Sequence, residues 1–532
     1  MPAPRTNRRL AAAAAGVASA LLGAGLGELT AALIAPGASP FAAIGSALID
    51  LAPPWAKNAA IALFGTNDKV ALLVGIAIVL VIVAACAGLL ELWRPPWGRV
   101  VMLAFGGIGI VAAMTRADAG TLDWIPSTVA GLAAAASLWL LVQRIPAARP
   151  AAPPSAQPAA AAGGAVAPPP ASASPGMQRR SFIGWTLAAA ATGLLAAVGG
   201  TVIRAGSNAV TAVRQAIKLP TPAVTAPPIP ADAELGILGL AKVVTPNESF
   251  YRIDTALIVP QIDPADWKLR IHGMVENEVE ITWDELLALP LEESVTTLTC
   301  VSNEVGGDLI SNAVWLGYPI RELLARAKPT SDADMVLSHS IDGFTASTPL
   351  EVLQEDGRNA ILAVGMNGTT LPPEHGFPVR MVVPGLYGYV SATKWVVQLE
   401  VTRFDQAHAY WTDRGWSERG PIKLESRVDV PRRGQGLKAG DTVIAGVAWQ
   451  QHVGVERVEV QIDEGEWRPA KLAAAISDDT WVQWSYPWTA EKGDHVIRCR
   501  ATSKADELQT EDEAPPAPDG ATGWNWRTVS VF

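Results

Sequence analysis

Cysteine is scarce, with 3 in 532 residues: Cys86, Cys300 and Cys499. They lie far apart, so no disulfide framework and no paired-ligand zinc motif can be read. Histidine is scarce as well. All 6 histidines (His272, His339, His375, His408, His452, His495) follow residue 270, which excludes a two-imidazole haem in the N-terminal half. Positive charge is in deficit, 41 Lys and Arg against 51 Asp and Glu, a formal net charge of -10. That balance argues against nucleic acid as a partner. Each cysteine must therefore be explained alone. Cys86 sits inside an apolar run, and Cys499 reads as the core of a strand. Cys300 ends VTTLTC and opens the polar turn VSNEVGGDLISN.

What is abundant is apolar: 49% of residues, with a mean hydropathy of +0.23. The excess is concentrated in residues 1–145 and 181–203. A bilayer-spanning helix needs about 20 apolar residues. Candidate spans are 10–35, 70–92, 99–115, 125–143 and 181–203, of which Val70–Leu90 carries no charge. Residues 41–64 are interrupted by Asp50, Pro53, Pro54 and Lys57 and read as interfacial or re-entrant. With five spans, Arg5, Arg8, Arg9, Arg94, Arg99, Arg144, Arg149, Arg179 and Arg180 all fall on one side. The positive-inside rule makes that side cytoplasmic and puts everything after residue 205 outside. Glu28 is the one candidate functional group within the spans, so the bundle reads as an anchor or docking surface, not a transporter.

The domain boundaries follow composition. Residues 1–145 form transmembrane helices, and 146–176 an Ala/Pro linker that is semi-extended and disordered. Residues 177–205 hold the last span behind Arg179-Arg180. That pair reads either as a twin-arginine export signal or as an ordinary positive-inside anchor. Residues 206–245 are a Pro-rich connector. Globular patterning occupies 246–419, with strands at WKLRI (267–271), VTTLTC (295–300) and TKWVVQLEVTRF (393–404). A short helix follows Thr282 as N-cap, another covers Tyr318–Ala327, and a hairpin turns at Asp342-Gly343. Further turns fall at Asn367-Gly368 and Pro372-Pro373. Residues 420–532 hold short, regularly spaced strands, the pattern of a β-sandwich, with Trp449, Trp481, Trp484, Trp488, Trp524 and Trp526 as core or interface.

LTCVSNEVGGDLISNAVWLG, LAVGMNGTTLPPEHGFPVRMVVPGLYGYVSATKWV and the Trp-rich sandwich together resemble the sulfite oxidase family of molybdopterin-dependent oxidoreductases, over residues of about 246–532. The resemblance implies an α+β cofactor domain followed by an immunoglobulin-like sandwich, and a molybdenum-molybdopterin cofactor. Cys300 is then the single protein ligand to molybdenum, a soft thiolate that leaves room for substrate. His375 and Arg380 are expected at the pterin or its phosphate, with Asn303, Ser391 and Lys394 as further cofactor contacts. Arg252, in PNESFYRIDT, is expected at substrate or cofactor. The family chemistry is two-electron oxygen-atom transfer. A separate electron carrier and a small-molecule substrate complete the expectation, with a homodimer through the sandwich, as in relatives.

Two positions depart from the sulfite-oxidising pattern. Val364 stands where the family has a tyrosine, and Glu304-Val305 where its cysteine loop carries an arginine. A site short of cations and donors holds a dianion weakly. Sulfite remains the leading named substrate. A sulfoxide-type reductase of the same fold, and a metal-free tethered binding or signalling module, are the alternatives.

Overall fold

The computed structural model describes residues 5–35, 37–52, 68–116, 119–145, 175–206 and 208–532, in two compact units divided near residue 208. Almost all of the Ala/Pro linker lies outside the described residues, as do residues 53–64 of the interrupted apolar stretch.

The first unit is helical: α1 (Arg5–Ile34), α2 (Pro40–Leu51), α3 (Asp68–Trp93), α4 (Trp97–Met114), α5 (Trp124–Gln143) and α6 (Pro175–Gly206). Among the described residues, five helices are long and apolar enough to cross a membrane, within Asn7–Ile34, Ala71–Trp93, Trp97–Met114, Trp124–Gln143 and Arg180–Ile203. Val74, Ile78, Val79 and Ile82 stay exposed on α3, the surface that suits acyl chains. The few polar groups serve the packing. Glu91 is buried and takes both the main-chain N–H and Nε of Arg99, Nε at 2.8 Å, which closes the turn between α3 and α4. Glu28 accepts from Ser39 Oγ at 2.6 Å, and Ser39 in turn caps α2. The span carboxylate is therefore a turn anchor.

Glycine sets how close these helices come. Gly25 on α1 meets the Gly193 carbonyl of α6, and Gly193 meets Leu21. Gly16 and Gly88 oppose each other across α1 and α3 in the same way. Any side chain there must push two backbones apart, as at small-residue contacts in membranes generally. Gly25→Leu is expected to lower stability by at least about 2 kcal/mol. Gly75→Leu, where nothing lies within 4 Å, should be near neutral. Thermal unfolding of both variants in detergent checks the contrast.

The second unit begins with helix Asn208–Ala216, so the connector is not wholly irregular. Ten strands follow. They are β1 (Lys268–Gly273), β2 (Val279–Thr282), β3 (Glu292–Thr299), β4 (Ile310–Pro319) and β5 (Met335–Ser340), then β6 (Thr345–Pro349), β7 (Ile361–Met366), β8 (Thr369–Thr370), β9 (Arg380–Val382) and β10 (Val396–Thr402). One sheet runs β2-β1-β10-β5-β6, the other β3-β4-β7-β8 with β9 on β7. The helix after β2 starts as its capping residues require: Thr282 accepts from Glu285 N–H, and Glu285 reaches back to Thr282 N–H. The next helix starts at Ile320, because Tyr318 and Pro319 still pair with β7; the expected start at Tyr318 is two residues early. Asn367 and Gly368 both take positive φ, which fits the tight turn between β7 and β8.

The last third has nine strands: β11 (Glu425–Val430), β12 (Gly436–Leu437), β13 (Gly440–Trp449), β14 (Val455–Ile462), β15 (Arg468–Pro469), β16 (Lys471–Leu472), β17 (Val482–Ala490), β18 (Gly493–Ser503) and β19 (Asn525–Val531). They form two sheets, β11-β13-β17-β16 and β12-β19-β18-β14-β15. Val428, Ile444 and Trp484 from one and Val458, Ile497 and Cys499 from the other share one core. Trp449, Trp481, Trp484 and Trp488 are buried as expected. Of the two readings, core or interface, Trp526 is not core: it is 44% exposed, because it sits on the outer face of an edge-proximal strand.

Candidate active site

Strand β3 carries Cys300 to the site. Val295 to Thr299 are fully enclosed, and the chain turns immediately after them. Cys300 N–H donates to the Leu309 carbonyl at 2.9 Å, and the Cys300 carbonyl accepts from Asn303 N–H at 3.0 Å. The Asn303 side chain closes the loop by accepting from Leu309 N–H at 2.9 Å. Asn303 is thus the keystone of the turn. The thiol is buried, and burial raises its pKa, partly offset by hydrogen bonds from Ser302. Burial dominates, and no cation among the described residues offsets it, so the thiol is not activated as a free nucleophile. The outer face of the loop, Glu304–Gly306, walls an open cleft of about 550 Å³ with Trp524, Trp526 and Arg527. Cys300 does not line that cleft.

Buried Tyr251 interacts with both Cys300 and Arg380, and around Arg380 the chain gathers donors and cations. Arg380, at the start of β9, is buried, with its guanidinium 5.1 Å from the centre of the Trp315 ring. It donates to three main-chain carbonyls, those of His375, Met381 and Ala392. No carboxylate pairs with it among the described residues, and burial pulls its pKa down to about 10. His375 is also buried. Burial first, then Arg380, lowers its pKa to about 4, so the ring is neutral and donates Nε2–H to the Asn247 carbonyl at 3.1 Å. Lys394 donates to Asp254 at 2.7 Å and to the Glu374 carbonyl at 3.0 Å, and burial lowers its pKa. Arg252, more exposed, reaches the same Asp254 oxygen at 2.8 Å. Gly376, at φ 109, lets the His375 turn, Arg380 and Lys394 come together, since a side chain there would strike both of the latter. Ser391 is fully buried, but its hydroxyl is spent on the Leu386 and Tyr387 carbonyls of its own turn.

Tyr251 is the group that sequence reasoning passed over, although it adjoins Arg252. Burial raises its phenol pKa, Cys300 raises it further, and Arg380 pulls it back. The Tyr251 hydroxyl and the Thr299 carbonyl both lie close to Gly388. A phenol therefore stands near the thiol even though Val364 replaces the expected tyrosine; Val364 itself is sealed in the core. Position 251 gives no periodicity that would mark it, and only its place between Phe250 and Arg252 could have. Tyr387, also buried, is the second phenol influenced by Cys300.

The model of the "Oxidoreductase molybdopterin binding domain" matches residues 256–411. The chain is 30% identical over 181 residues to the uncharacterized oxidoreductase YuiH of Bacillus subtilis (strain 168), a match that spans 33% of this chain and 87% of that one. The chain belongs to the sulfite oxidase family of molybdopterin-dependent oxidoreductases. Chicken sulfite oxidase (Gallus gallus) is 27% identical over 338 residues, 54% of this chain and 71% of its own. Human mitochondrial sulfite oxidase is 28% identical over 334 residues, and the match spans 54% of this chain and 59% of the relative. The family makes the protein an oxidoreductase whose cofactor domain binds molybdopterin.

The residues present fit such a cofactor. A buried charge without a counter-ion is costly, and Arg380 has none among the described residues. Arg252 and Lys394 share the carboxylate Asp254, with Asp342 and Glu374 nearby, so Arg380 is the cation of the cluster that no carboxylate compensates among the described residues. An anionic, phosphate-bearing pterin would restore the balance, and one soft thiol is the donor that a sulfur-rich metal shell takes.

Proposed function

We propose that this protein is a membrane-anchored molybdenum oxidoreductase that transfers an oxygen atom to or from a small sulfur compound, with Cys300 as the protein ligand to the metal. The carrying observation is the lone buried thiol at the end of β3, which shares the buried phenol Tyr251 with the uncompensated cation Arg380. In this reading Arg380, His375 and Lys394 hold the anionic part of the cofactor, with Asn303 and Ser391 shaping the main chain around it. Bound there, the cofactor supplies two-electron oxygen-atom transfer. Arg252 is the exposed cation placed to meet an anionic substrate. Tyr251 is placed to hold a proton at its hydroxyl beside the reacting centre. Electrons pass to or from a separate carrier. The five apolar helices anchor the chain in the cell membrane, with the arginine-rich loops cytoplasmic and the catalytic unit outside. Arg179-Arg180 mark the last span for export of a folded domain. The sandwich is of the immunoglobulin-like type and pairs two copies.

Sulfite is the leading substrate. The sulfoxide-reductase reading is favoured by Glu304-Val305 standing where the family's cysteine loop carries an arginine, since a site short of that cation holds a dianion weakly. One experiment separates them. Full-length protein purified in detergent is expected to carry about one molybdenum per chain. It is then assayed with sulfite and an artificial acceptor, and with sulfoxides and an artificial donor. Turnover of sulfite at a rate matching or exceeding any sulfoxide supports the first reading. Sulfoxide reduction alone supports the second, and protein without molybdenum or turnover overturns both.

A further inference from the structure

The loop that bears Cys300 is held from outside its own domain. Arg427, on β11 of the sandwich, donates to the Gly307 carbonyl at 2.6 Å. The same guanidinium is paired with Asp429, Nε to Oδ1 at 2.7 Å, and both side chains are nearly inaccessible, at 8% and 9% exposure. Asp429 is itself fixed by Ala241 N–H at 3.0 Å. One residue earlier in the loop, Gly306 takes φ +77 and lies so close to the Asn525 amide that any side chain would collide with it. Asn525 is in turn held by Val428 N–H at 2.9 Å.

The strand before Cys300 is held from the same side. Gln451 donates to the Thr297 carbonyl at 3.1 Å and to Thr299 Oγ1 at 2.8 Å. Thr297 N–H donates to the Asp479 carbonyl at 3.0 Å, and Thr297 Oγ1 accepts from Trp481 N–H at 2.9 Å. The sandwich thus grips the chain on both sides of position 300. Within its own sheet, the end of β3 has only β4 as a partner. A sulfur on a one-sided strand end followed by a glycine-rich turn has rotational freedom unless something outside removes it.

We infer that Arg427 is a positioning residue, which with Gln451 fixes the direction in which the Cys300 sulfur points, so that the sandwich is part of the active site and not only an appended module. The inference deepens the proposed function and rests on Cys300 being the ligand. Its geometric content, a braced thiol, can be tested without the metal. The guanidinium is suited to this task because it holds Asp429 with one edge and still presents an N–H to Gly307. A lysine can satisfy the Gly307 carbonyl or the carboxylate, with less directional control.

The test uses full-length protein in detergent, purified from molybdate-starved cells, and measures alkylation of each cysteine by iodoacetamide with peptide mass spectrometry. A free thiol added to the sample reports reagent activity, since Cys86 lies within a membrane span, while Cys499 is buried in the sandwich core and reports general loosening. Arg427→Ala is expected to alkylate Cys300 at least about tenfold faster with Cys499 unchanged, because a buried charge-assisted hydrogen bond has been lost. Arg427→Lys should recover part of the protection, and Gln451→Met should loosen Cys300 independently should Arg427→Ala not accumulate. An unchanged Cys300 rate in Arg427→Ala or Gln451→Met overturns the brace. So does a parallel rise at Cys300 and Cys499, which would mean that the contact only stabilises the fold. Failure of the ligand assignment shows separately, as wild-type protein from molybdate-fed cells that carries no molybdenum.

Discussion

Cys300→Ser is expected to strip the protein of molybdenum and to lower turnover by at least about a thousandfold, the scale of loss when a central active-site group is removed. Serine keeps the size and the Leu309 contact, which uses only the main chain. Its hydroxyl is a hard, weakly acidic donor where a soft thiolate is needed. Folding should be nearly unaffected. The readouts are metal content by mass spectrometry, thermal unfolding and turnover with the substrate found in the screen. A variant that still binds molybdenum and turns over at the wild-type rate would refute the assignment. Cofactor loading also has a proton to displace. Burial holds the Cys300 thiol in its protonated form at neutral pH, so metal binding must release that proton and should strengthen as pH rises.

The second large effect is at Arg380. Arg380→Leu leaves the carbonyls of His375, Met381 and Ala392 without their donor, and a fall in stability of about 3 kcal/mol or more follows. The charge itself separates scaffold from cofactor. In cofactor-free protein, removing an unpaired buried cation relieves part of its desolvation cost. In loaded protein that cation is compensated by the pterin phosphate, so its removal costs more. Thermal unfolding of wild type and Arg380→Leu, each with and without cofactor, should therefore show the larger loss in the loaded form. Equal losses in both forms would mean that Arg380 serves only the main chain around it.

Much of this arrangement is written locally. Thr282 and Glu285 declare a helix start by their spacing, and the structure contains both reciprocal bonds. Asn367-Gly368 declares a turn because few other pairs tolerate two positive φ angles. Five apolar runs are legible because a bilayer imposes length and polarity together. The motif around Cys300 and His375 was legible through family resemblance and not through spacing. What stayed hidden depends on partners distant in the chain. Tyr251 matters because β3 and the turn at Gly388 meet beside it. Arg427 matters because its carbonyl partner is 120 positions earlier. Trp526 reads as core or interface from sequence, and only strand register decides which face it takes.

The bond between Trp481 and Thr297 spans 184 positions, and it sets a timetable. While the ribosome is still working toward residue 481, the segment carrying position 300 has been made but lacks its clamp. At about 5–20 residues per second, the wait lasts on the order of ten seconds or more. A nascent chain halted in that interval could offer a thiol yet not a finished socket, so cofactor loading belongs after synthesis is nearly complete.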